Sequence, residues 1–199
     1  MSVKVPAEDV AAQSKLNQEQ AQAYNTILER VNSETPGLFF VDGPGEPGKH
    51  SCIAALLGKV RSEGMIALAS ATSGVAAVIL PGGRTAHSRF SIPLQVDETT
   101  MTNMSKQGGG AKLIRQAKLI IWDEAPMAKR HTIETVDRSF RDIMDSDIPF
   151  GGKVMIQLST NMRARVDTTF SNFLLRVGNG EETTIQDNLI ALPEQMTIQ

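Results

Sequence analysis

The apolar positions of this chain fall into short continuous runs, separated by stretches with helical spacing. Leu38-Phe39-Phe40-Val41, Met65-Ile66-Ala67-Leu68-Ala69, Leu119-Ile120-Ile121-Trp122 and Val154-Met155-Ile156 each read as a buried strand. Asn17 is placed to cap a helix, with Gln20 three residues later as in a capping box. Ala23, Ile27 and Val31 follow at helical spacing until Pro36-Gly37 stops the helix. Further helices are predicted over about 49–63, 74–80, 129–144 and 170–177. The polar stretch that follows Pro81-Gly82-Gly83, with Gly108-Gly109-Gly110 inside it, carries no clear period. Buried strands alternating with helices predict an α/β fold, a parallel sheet with helices on both faces. Residues 1–15 read as a loose lead-in and 16–199 as a single lobe.

Composition narrows this only a little. A chain of 199 residues holds one sizeable core but not two comfortable domains. Hydrophobic residues at 41% and charged residues at 21% are ordinary for a soluble globular protein. The net charge of −2 does not demand nucleic acid. From Lys112 to Arg165, ten Lys/Arg stand against seven Asp/Glu, an excess that suits either phosphates or a solvated helix face. Cys52 is the sole cysteine, so no intrachain disulfide is possible. The opening residues lack an apolar signal core, and no apolar run reaches the roughly 20 residues needed to span a bilayer. The expectation is a soluble, intracellular protein.

Gly43-Pro44-Gly45-Glu46-Pro47-Gly48-Lys49 fits the first seven positions of a phosphate-binding loop, between an apolar strand and a helix. Small residues there let backbone N–H groups converge on phosphate oxygens, and Lys49 adds a compact positive charge. The bland alternative is a glycine-rich turn. The eighth position should carry a hydroxyl for Mg²⁺ but is His50, whose imidazole is a poor ligand for so hard a cation. Ser51 stands one helical step on, turned away by roughly 100°. Pro47 has no N–H to give, and Glu46 brings negative charge toward a polyanion.

Asp123 and Glu124 end the third apolar run, where open parallel sheets bind ligands. In that setting Asp123 holds Mg²⁺ through water and Glu124 acts as general base on the attacking water. A merely solvated strand end is the other reading.

These motifs together give the chain a family likeness. It resembles the Pif-one-like DNA helicases of superfamily one, particularly the plant and rolling-circle-transposon type. The likeness rests on Leu16-Asn17-Gln18-Glu19-Gln20, Phe39 through Gly45, and Ala71-Thr72-Ser73-Gly74-Val75-Ala76-Ala77. It continues through Gly83-Arg84-Thr85-Ala86-His87-Ser88-Arg89-Phe90, Ile121 through Met127, Pro149-Phe150-Gly151-Gly152-Lys153 and Asn161-Met162-Arg163-Ala164.

The resemblance implies a RecA-like lobe that binds ATP and Mg²⁺ and moves 5′-to-3′ on DNA, in repair, recombination, the response to DNA damage and telomere maintenance, with a nuclear location. It implies that Gln20 reads adenine, although the same side chain suits the capping box. It implies single-stranded DNA contacts at Thr72, Ser73 and Gly74, where an ordinary helix cap is the alternative, and at Thr85, His87, Ser88 and Phe90. Arg163 matches an arginine that reaches the γ-phosphate, against the alternative of a surface ion pair.

Departures from the family are equally clear. Glu46-Pro47 replaces Gly-Thr, and His50 replaces Thr. The sensor segment and most of the second motor lobe are missing, so the lobe is internally truncated. Gln157 lacks the flanking motif that would make it the sensor glutamine. A non-catalytic nucleotide- or single-strand-binding remnant is therefore the second reading.

Overall fold

Five strands hydrogen-bond in parallel in the computed structural model, which describes residues 16–41, 47–158, 184–186 and 189–190. They are β1 (Gly37–Val41), β2 (Ile66–Ala71), β3 (Arg84–Thr85), β4 (Ala117–Asp123) and β5 (Val154–Leu158), in the order β1-β5-β4-β2-β3. The helices are α1 (Gln18–Asn32), α2 (Pro47–Ser62), α3 (Gly74–Ile79), α4 (Ala86–Phe90), α5 (Gly109–Gln116) and α6 (Arg130–Met144). A separate antiparallel pair joins β6 (Thr184–Gln186) to β7 (Leu189–Ile190). Contacts divide the chain into two compact units, one of residues 1–42 with 47–159 and the other of 43–46 with 160–199. The sequence pattern anticipates one lobe over 16–199.

Alternation along β4 builds two cores. Leu119 and Ile121 point to one face, with Ile27 and Val31 of α1, Leu56, Leu57 and Val60 of α2, and Ala76 of α3. Ile120 and Trp122 point to the other, with Phe90 of α4, Ile114 of α5, and Val136, Phe140 and Ile143 of α6. A strand lined on both faces in this way cannot alternate apolar with polar, which explains the unbroken run.

Local chemistry sets the helix ends. Asn17 accepts the Gln20 N–H at 2.9 Å and Gln20 Oε1 accepts the Asn17 N–H at 3.1 Å, a complete capping box. Pro47 opens α2, where its missing N–H costs the helix nothing internally. At Gly83 any Cβ would collide with the Ala77 carbonyl, so only glycine lets β3 follow α3 this closely.

Two expectations need correction. The run Leu38–Val41 is not fully buried, since β1 is an edge strand and leaves Leu38 and Phe40 more than half exposed. The unpatterned stretch contains α4 and α5, the first too short for a period and the second opening on glycines. The predicted helix over 170–177 lies outside the described residues.

Candidate active site

In a parallel sheet the C-terminal ends of the strands share one edge, and β4 delivers Asp123 and Glu124 there. Both are 1% exposed. Glu124 adopts φ 55° and ψ 29°, a left-handed turn that ends the strand sharply. Asp123 Oδ1 accepts the Glu124 N–H at 2.9 Å. Thr72, just past the end of neighbouring β2, donates its N–H to the Asp123 carbonyl at 3.0 Å. Its hydroxyl donates to the Glu124 carbonyl at 2.7 Å and accepts the Trp122 indole N–H at 3.1 Å. The Ser73 N–H donates to Glu124 Oε2 at 3.1 Å, while Ser73 Oγ caps α3 through the Ala76 N–H. The carboxylate pair and the Thr72-Ser73 segment are thus one hydrogen-bonded unit.

Hard carboxylate oxygens at this edge suit Mg²⁺, which commonly rests on one or two carboxylates plus phosphate oxygens and water. Among the described residues no group of three or more His, Cys, Asp or Glu forms a closed cage for a metal ion.

The strand-contact candidates separate by burial. Ser73, Thr85 and His87 are half-buried, and Gly74 and Ser88 are exposed. Thr85 Oγ1 caps α4 by accepting the Ser88 N–H at 3.3 Å. Thr72 and His87 line one cavity of about 380 Å³, with Leu94, Gln95, Met127 and Lys129 also in its wall. Phe90 departs from expectation. It is 0% exposed, with its ring centroid 5.8 Å from Trp122 and 5.3 Å from Phe140. A ring enclosed on all sides has no face for a base, so Phe90 is core. Its burial follows from helical geometry, which a match to motif letters alone does not convey.

Of the phosphate-loop candidates, Gly43, Pro44, Gly45 and Glu46 lie outside the described residues. Pro47, Gly48, Lys49, His50 and Ser51 occupy the first turns of α2. Arg163 also lies outside. Gln20 commits Oε1 to its capping box, and its backbone carbonyl accepts from Cys52 Sγ at 3.8 Å. Gln20 and Cys52 border a small apolar cavity of about 50 Å³ between α1, α2 and β5.

Burial pushes the Cys52 thiol up from the usual 9.0 to about 11. Because the folded chain holds that proton more tightly, this contribution to stability is full below pH 9.0 and is lost as the pH rises through about 11. At pH 8 the native chain is expected to react with iodoacetamide at least about tenfold more slowly than the urea-unfolded chain. Equal rates would mean that α1 and α2 do not enclose the thiol.

Sequence reasoning missed the Trp122 indole, which ties the carboxylate strand to Thr72, and the cavity residues Gln95 and Lys129. A polar-tipped aromatic directly before two acids is a signal that could have been followed.

Comparison with known proteins agrees with this geometry. Residues 15–159 match the family model of the PIF1-like helicases. The chain is 28% identical over 142 residues to the ATP-dependent DNA helicase PIF1 of Trypanosoma brucei brucei (strain 927/4 GUTat10.1), covering 71% of this chain and 14% of the relative. It is 29% identical over 117 residues to the ATP-dependent DNA helicase PIF3 of the same organism, covering 59% and 14%. The crystal structure of Bacteroides Pif1 bound to single-stranded DNA superposes with a TM-score of 0.60 at 25% identity, over 81% of this chain and 36% of that one. Bacteroides Pif1 in complex with ADP-AlF3 and single-stranded DNA gives 0.59 at 25% identity, over 79% and 36%. The RecA-like sheet, its paired carboxylates and the match over 15–159 converge, and the chain belongs to the PIF1-like helicase family.

Proposed function

We propose that this chain is a nucleotide- and single-strand-binding motor lobe of an ATP-dependent DNA helicase. The observation that carries the reading is the direct bonding of the buried Asp123-Glu124 pair to the Thr72-Ser73 segment at the sheet edge. In this reading α2 presents its N-terminus and Lys49 to the phosphates, and Asp123 holds Mg²⁺ through water. Glu124 takes the proton of the attacking water. Gln20 contributes its amide N–H groups to adenine while Oε1 stays in the cap. Thr85, His87 and Ser88 line the path of the strand beside Thr72-Ser73-Gly74. Bound Mg²⁺ supplies charge neutralisation between the phosphate oxygens.

Motors of this kind hydrolyse ATP between two lobes, and an arginine from the second is worth about 10³–10⁵ in rate. The chain spans 14% of the length of each trypanosomal relative. Residues 16–199 are read as one first motor lobe, and family likeness alone gives Arg163 a role at the γ-phosphate. Family likeness extends the proposal to 5′-to-3′ movement in DNA repair, recombination and telomere maintenance, in the nucleus.

A second reading, a non-catalytic binding remnant, is favoured by Glu46, Pro47 and His50 standing in the phosphate loop. Titration calorimetry of MgATP into the folded chain, followed by turnover with and without a single-stranded oligonucleotide, separates the two. ATP binding with strand-stimulated turnover supports the motor. A folded chain that binds the oligonucleotide but ignores ATP supports the remnant. Binding of neither ligand overturns both.

A further inference from the structure

Thr72 has a hydroxyl with one proton and two lone pairs, and the fold uses it in two directions. It donates to the Glu124 carbonyl at 2.7 Å and receives the indole N–H of Trp122 at 3.1 Å. Its backbone N–H is taken by the Asp123 carbonyl, at 3.0 Å. The next residue, Ser73, places its N–H on Glu124 Oε2. A hydroxyl engaged in this way is directed into the protein, while the body of Thr72 still borders the cavity of about 380 Å³ shared with His87, Gln95 and Lys129. One residue therefore touches the cavity on one side and the backbone of the carboxylate pair on the other.

We infer that Thr72 is a positioning residue for Glu124, and that through Thr72 and Trp122 the occupancy of the adjoining cavity by single-stranded DNA is transmitted to the Glu124 carboxylate. The inference rests on the strand-binding reading above and adds a route by which binding reaches the general base. The route does not involve a sensor glutamine. Gln157 lies on β5 opposite Trp122 in register, but the coupling runs on the other side of β4, through β2. Displacement of Thr72 by a strand in the cavity moves the Glu124 backbone carbonyl it holds. The Ser73 N–H then shifts relative to the carboxylate, because residues 72 and 73 are joined by one rigid peptide plane. Lys129 and His87, both in the cavity lining, supply cationic and hydrogen-bonding groups for the strand.

The chain carries its own reporter. Trp122 is the single tryptophan, is 0% exposed, and donates to the Thr72 hydroxyl. A strand in the cavity cannot stack on a fully enclosed indole, so once light absorption by the oligonucleotide is corrected for, the emission reads changes in the protein around Trp122. The experiment titrates the full chain with a short oligodeoxythymidylate, reading tryptophan emission and, separately, the anisotropy of a labelled copy of the oligonucleotide.

In the wild-type chain, emission is expected to change in step with binding. In Thr72→Val the emission response at saturating oligonucleotide falls at least about twofold, because the bond from the indole to the hydroxyl is gone; Thr72→Ser, which keeps it, restores the response. A saturating emission response that is the same in Thr72→Val as in the wild-type chain would overturn the inference, whatever the variant does to affinity. Wild-type binding with unchanged emission would overturn it without any variant, while leaving the strand-binding reading intact. Absence of binding to the wild-type chain would remove both.

Discussion

Replacing Glu46, Pro47 and His50 together, as Glu46→Gly, Pro47→Thr and His50→Thr, is expected to raise MgATP affinity at least about tenfold, a gain of about 1.4 kcal/mol or more. Each change acts on a separate term. α2 begins at Pro47, so that residue sits among the first four positions of the helix, whose N–H groups have no partner within it. Those are the groups a phosphate uses, and proline offers none; a charge-assisted hydrogen bond restored there is worth about 1.5–3 kcal/mol. In the proposed phosphate loop the Glu46 carboxylate would be a like charge, and such a charge at about 7 Å from a phosphate costs on the order of 2 kcal/mol at an effective dielectric of about 20. Thr at position 50 supplies the hard oxygen that imidazole lacks. The helix itself is held further along by Ile53, Leu56, Leu57 and Val60, all almost fully buried, so the exchange should leave the fold intact. Titration calorimetry reads the outcome. Unchanged affinity in a folded triple variant would show that the loop does not limit nucleotide binding.

The parts of this fold that could be read from sequence were those where one physical requirement dominates. A strand covered on both faces must be apolar throughout, so Leu119–Trp122 declared itself, and Asp123-Glu124 marked its end. The Asn17/Gln20 box was readable because it consists of local hydrogen bonds three residues apart. Partnership across the sheet was not. That β1 lies at an edge, with Phe40 exposed, depends on which strands find one another. Phe90 shows the same limit from the other side. Its motif neighbours suggested a stacking face, but the pitch of α4 turns it inward against Trp122. The double engagement of Thr72 was equally hidden, since it joins residues about fifty positions apart.

Phe140→Ala is expected to destabilise the chain by about 3–5 kcal/mol, the largest single-residue effect argued for this fold. The ring is 0% exposed and lies at the centre of the core that backs the carboxylate strand. Phe90 meets it edge-on, with centroids 5.3 Å apart, and Phe150 does so at 6.5 Å. Such pairs add about 0.5–1.5 kcal/mol each beyond the area they bury. The loss combines transfer of the ring to water with a cavity that surrounding Val136, Ile143 and Ile114 fill only in part. Against a total of about 5–15 kcal/mol for a domain, this is a large share. With a urea dependence of about 1–3 kcal/mol per molar, the midpoint should fall by about 1 M or more. Val78→Ala is the matching control, since Val78 is 86% exposed on α3 and its change should stay within about 0.5 kcal/mol. The consequence reaches the site as well. Trp122 packs against Phe90 in this same cluster, so a loosened core should alter tryptophan emission in the folded baseline before the transition begins. A Phe140→Ala midpoint indistinguishable from that of Val78→Ala would mean that this aromatic core does not hold the sheet together.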